Sequence, residues 1–140
     1  MNIKVLRTRY QSPIFKSVDG HLLIDDETIT STTESALDLL PPGTYPVTLV
    51  KCPLHGRKMP HIVTDPFAVR PCKTCKKHPQ CSLMMTANSA KECTSGSIAV
   101  GEKLVPGVLV RSRISFDPLF ERMRKQLERG KTVSLTIENQ

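Results

Sequence analysis

The sequence predicts a mainly β domain of α+β class: a compact sheet or barrel-like fold with one C-terminal helix and a final strand after it. Three observations predict this. Apolar and polar residues alternate in short separate runs near the start, middle and end of the chain, the period that buries one face of a strand. Glycine and proline punctuate those runs as turns do. An apolar repeat of four residues stands out in one stretch, near residue 120, and an alternating run follows it at once.

The opening run carries Ile3, Val5 and Arg7 on one face and Lys4, Leu6 and Thr8 on the other, which reads as a first strand. Residues 17–20 carry a turn signal, and 21–25 read as a second strand pairing with the first. The threonine-rich stretch 28–34 reads as a third. Leu40-Pro41-Pro42-Gly43 is a sharp break. Beyond it, Tyr45, Val47 and Leu49 alternate with Pro46, Thr48 and Val50, and Pro46 puts this strand's start or an edge there. Residues 59–64 read as a short strand, and Asp65-Pro66 opens a long loop. The apolar stretch 97–101 reads as a buried strand and 109–113 as another. For the helix, Asp117 reads as the cap, with Pro118 at the first helical position, where its missing N–H costs nothing. Leu119, Met123 and Leu127, with Phe120 beside them, form the core-facing side. Arg122, Arg124, Lys125 and Arg129 cover the rest, and Gly130 ends the helix. Val133, Leu135 and Ile137 then alternate in the closing strand.

Four of the five cysteines fall in one stretch: Cys72, Cys75 and Cys81 around His78, then Cys93. A Cys-x-x-Cys pair can hold one ion with both thiolates, and two further soft ligands complete a tetrahedron. Lys73, Lys76 and Lys77 favour the thiolate. The zinc ligand set is therefore Cys72, Cys75, Cys81 and Cys93, or a set closed within the loop by His78 in place of Cys93. Cys52 and His55 form a second ligand-like pair. Two disulfides with one spare thiol, or plain buried thiols, are the competing readings. Four protein ligands leave no position for substrate, so such a zinc staples a loop and does not catalyse.

The chain of 140 residues is read as one domain, 1–140, with 65–94 as an inserted cysteine-rich segment. The net charge of +7 points to an acidic partner, which can be a protein surface, an anionic cell-wall polymer or nucleic acid. Tryptophan is absent and aromatics make up 4%, which disfavours a reader of single-stranded bases. The N-terminus lacks an unbroken apolar run, so cytoplasmic synthesis without a signal peptide is expected, and no stretch is read as a membrane span.

Several segments in order carry a resemblance: Leu40 to Val47, His55 to Pro60, Ser95 to Gly101, and Val110 to Phe116 with the helix and closing strand. Together they resemble domain-of-unknown-function family 5675, small proteins of prophages and bacterial genomes with a distant likeness to L,D-transpeptidases. That family carries Ile-Arg-Ile-His-x-Gly-Asn and Gly-Cys-Ile-x-Val-Gly segments. The resemblance implies a Cys nucleophile activated by a His. Here the two positions read Ser97 and Met85. Methionine accepts no proton, and a serine without a base stays protonated.

The leading expectation is thus a non-catalytic binding or structural module, phage- or prophage-encoded and virion-, injection- or wall-associated. A second reading is a peptidoglycan-acting acyl-transfer enzyme with a rearranged site, using Ser97, Ser95 or Cys93 as nucleophile and His61 or His78 as base. A third is a zinc-containing nucleic-acid binder.

Overall fold

The computed structural model describes residues 1–52, 56–64, 82–93 and 96–140, with only the backbone of 9–11 and of Cys52. Their elements are strands β1 (Asn2–Ser12), β2 (Ser17–Ile24), β3 (Glu27–Ser35), β4 (Gly43–Cys52), β5 (Arg57–Ile62), β6 (Met84–Met85), β7 (Ile98–Val105) and β8 (Val108–Val110), then helix α1 (Ser112–Glu128) and strand β9 (Ser134–Asn139). A single turn of 3-10 helix, Ala90–Glu92, lies between β6 and β7. The expected class holds: a strongly curled, half-barrel sheet with one helix followed by a last strand.

The strand order is β5-β4-β9-β1-β2-β3-β7-β6, with β8 paired to β7. β9 lies parallel to β1, with Ile3 opposite Leu135 and Val5 opposite Ile137. Their alternation fills the interior together with Leu22, Ile98 and the α1 residues Phe116, Leu119 and Met123. β4 pairs with β9 through Gly43–Pro46 and with β5 from Val47 onward. Pro46, which has no N–H to give a ladder, stands where the strand changes partner.

The ends of the strand order meet. His61 and Leu83 form an antiparallel bridge, and the Ile62 N–H donates to the Ser82 carbonyl at 2.8 Å. A short seam between β5 and β6 thereby links the first and last strands of the order. Residues 82–93, which the sequence assigns to the inserted segment, belong to this packed region: Leu83, Met84 and Ala90 are buried core residues. Cys72, Cys75, His78 and Cys81 lie outside the described residues, as do His55 and Ser95.

Two expected boundaries are corrected. Residues 17–20 are not a turn but the start of β2, and the turn precedes them at 13–16. Gly20 serves close packing there, since a Cβ on it would fall 2.6 Å from the Leu6 carbonyl oxygen. The helix begins at Ser112, not at Asp117, so Pro118 lies inside it and 112–113 are not strand. Burial of Phe116, stacked on Phe120 at 5.8 Å, holds the extra turn. Arg57 lies 4.4 Å from the Phe120 ring centroid and 3.7 Å from the Asp117 carboxylate, bracing the same turn. Pro118 leaves the Ile114 carbonyl without its helical donor, and Ile114 is exposed, so water can serve it.

Candidate functional site at the strand seam

Ser97 and Met85 both lie along the β6–β7 ladder at the seam, two positions apart in register. β6 runs parallel to β7, with Met84 opposite Ile98 and Met85 opposite Ala99. Ser97 immediately precedes β7, and His61 approaches from β5. Leu83 stands between the last two: it bridges His61, and its N–H donates to the Ser97 Oγ at 3.0 Å. Its carbonyl accepts the Ile98 N–H at 2.8 Å.

This environment sets what Ser97 can do. The residue is 2% exposed, and Met85 is 5% exposed. The Ser97 oxygen is an acceptor for backbone, a role that orders a strand end. Gly96 before it has φ +69, and a Cβ there would fall 2.6 Å from the Ser82 Oγ and 3.2 Å from Leu40. The glycine therefore serves a tight approach inside the fold. Its N–H donates to the Asp38 carbonyl at 3.1 Å, which ties the segment to the loop after β3. The seam is walled by Leu40, Leu83, Met84 and Met85, all buried.

A second polar group lies under β1, β2 and β3. Arg7 grips Glu34 through both nitrogens, Nε to Oε2 at 2.9 Å and Nη2 to Oε1 at 2.8 Å, with the two side chains 4% and 2% exposed. This fork geometry is that of an ionised pair. Burial pushes the Glu34 carboxyl above its ordinary range, and the hydrogen bonds and charge of Arg7 oppose that. Asp19, equally enclosed, accepts from Thr33 Oγ1 at 2.8 Å and from the Gly107 N–H at 3.1 Å, with Lys103 Nζ at 3.5 Å.

Cys93 borders this group. Its thiol donates to the Thr33 carbonyl at 3.7 Å. Burial first, and the nearby Glu34 charge second, push its pKa up to about 12. A thiol so held is not an activated nucleophile. Among the described residues, no three His, Cys, Asp or Glu side chains group as a metal site.

Sequence reasoning located Ser97, Met85 and Cys93 but missed Arg7, Glu34 and Asp19. A signal was present: Arg7 continues the inward face of Ile3 and Val5, and a buried arginine demands a carboxylate. No family model, curated protein or solved structure matches this chain. Among the described residues, no helix is long and apolar enough to cross a membrane.

Proposed function

We propose that the protein is a non-catalytic binding or structural module of the kind suited to a phage particle or a bacterial wall. The observation that carries this reading is Ser97, enclosed at the seam and accepting the Leu83 N–H. A nucleophile must reach substrate and must be deprotonated by a partner. Ser97 lacks that access, and Met85 cannot take its proton. Cys93, the other candidate, is held as a thiol. The resemblance to family 5675 supports a fold whose presumed dyad has been replaced by packing residues. The net charge of +7 supports an anionic partner.

The cysteine-rich segment is proposed to carry a structural zinc. The proposed ligand set is Cys72, Cys75, Cys81 and Cys93, with His78 as the alternative to Cys93. Zinc would cross-link the segment and supply no chemistry. Elemental analysis should find about one zinc per chain, lost by Cys72→Ser and by Cys93→Ala. Zinc kept by Cys93→Ala would assign His78 in its place.

Two measurements test the module itself. Intact-mass spectrometry after incubation with peptidoglycan acyl donors should show no adduct. Co-sedimentation with purified cell walls should show saturable binding. An acyl adduct mapped to Ser97 or Cys93 would establish the acyl-transfer reading instead. Failure to sediment would remove the wall as partner.

A further inference from the structure

A groove of about 310 Å³ runs between the C-terminal half of α1 and the ends of β1 and β2. Arg122, Lys125 and Arg129 line it from the helix, with Gln126 among them. Their spacing of three, four and seven residues puts them in one stripe, which rises about 10 Å along the helix. Asp25 and Asn2 line it from the sheet side. Asp25 is the first residue of the two-residue β2–β3 turn, Asp25-Asp26, whose φ values of 52° and 64° are those of a tight type I′ hairpin. That turn fixes where the carboxylate can stand.

The cations of this stripe differ from their neighbours on the same helix. Arg124 is held by Glu121 and Glu128, both at 2.7 Å, and Arg113 pairs with Asp117. Among the described residues, none of Arg122, Lys125 and Arg129 forms an ion pair. The helix C-terminus favours cations near it, which accounts for their sign but not for their shared groove. Three cations facing one carboxylate leave the groove with a clear positive excess.

We infer that this groove binds a polyol-phosphate chain, in which anionic phosphodiesters alternate with free hydroxyls. This rests on the binding-module reading and names the chemistry of its partner. Arginine and lysine take the phosphate oxygens. Asp25, which repels phosphate, accepts a hydroxyl of the linking polyol. Among the described residues no aromatic lines the groove, so they offer a base no stacking surface, and they would hold nucleic acid by its phosphates. A polyglutamate chain offers Asp25 no hydroxyl.

The test is fluorescence anisotropy with a labelled glycerol-phosphate oligomer on the full chain. Raising salt from 50 to 200 mM should weaken binding roughly twentyfold, the loss expected when three cations release counterions from a single-stranded polyanion. Replacing Arg122, Lys125 and Arg129 together with serine should weaken binding at 50 mM salt by about tenfold or more and flatten the salt dependence. Replacing Lys51, Lys58 and Lys91 with serine removes the same charge elsewhere and should have much the smaller effect. Asp25→Asn, which keeps the turn, should reduce the preference for the glycerol-phosphate oligomer over a DNA oligomer of equal charge. Equal losses from the two triple variants would overturn the groove assignment. So would equal affinity of the native protein for DNA or polyglutamate. If the groove variant still sediments with walls as the native protein does, the groove is wrong and the module reading stands. If the native protein binds neither walls nor oligomer, the groove assignment and the wall as partner both fall.

Discussion

The seam and the Arg7–Glu34 group are both buried and both polar, yet they are built in opposite ways. At the seam, a neutral hydroxyl and backbone groups serve one another, and the neighbours are Leu83, Met84 and Met85. Under β1–β3, full charges face each other across strands. A neutral hydroxyl that accepts one N–H is inexpensive to bury, while a charge without its partner is not. The comparison teaches that this fold buries full charges where each meets its partner across strands. Around Ser97 the fold is closed.

The largest expected effect comes from breaking the ionic side. Glu34→Gln leaves Arg7 charged and buried without a counter-charge and should cost about 3–5 kcal/mol in urea unfolding. The double variant Arg7→Met with Glu34→Leu should recover much of that loss. If Glu34→Gln costs under about 1 kcal/mol, the pair is not an isolated buried unit and the contrast with the seam fails.

Next comes the seam. Ser97→Ala removes the acceptor of the Leu83 N–H and should cost about 1–3 kcal/mol, with wall binding unchanged per folded molecule. A loss of binding without a loss of stability would give Ser97 a direct functional role.

Cys93 sharpens the comparison through pH. Its folded pKa of about 12 lies above the ordinary value of 9.0, so the folded state holds the proton longer than the unfolded state does. The stability from this group is complete below pH 9 and falls as pH rises through 12. Cys93→Ala should flatten that alkaline decline in unfolding measurements. Peptide mapping after alkylation at pH 8 should find Cys93 labelled far more slowly in the native chain than in urea. Rapid native labelling would refute a protonated, half-buried thiol. The smallest effect is expected from Arg124→Ser, which removes a cation already neutralised by Glu121 and Glu128. It should change oligomer affinity less than Arg122→Ser does.

Much of the fold was legible because its strands alternate. Ile3 and Val5, Val47, and Val133, Leu135 and Ile137 all point inward as their period requires. The helix start was not legible. Asp117-Pro118 has the local chemistry of a cap, and only the burial of Phe116 beneath Arg57 extends the helix backward. Gly20 misled for a similar reason, since a glycine serving close strand packing looks in sequence like one serving a turn. β6 is two residues long, too short for any period, and its role rests on contacts with β5 and β7 far off in sequence. The candidate residues could be named in advance, but the enclosure of Ser97 belongs to tertiary structure.

The bridge between β5 and β6 has one further consequence. Ile62 and Ser82 are hydrogen-bonded to each other, and the Val63 N–H donates to the Pro46 carbonyl at 2.9 Å, so the sheet holds the chain on both sides of the interval between them. The entropy of closing such a loop grows only with the logarithm of its length. A change of length between residues 64 and 81 should therefore cost the seam little, and urea unfolding of a lengthened chain measures that cost.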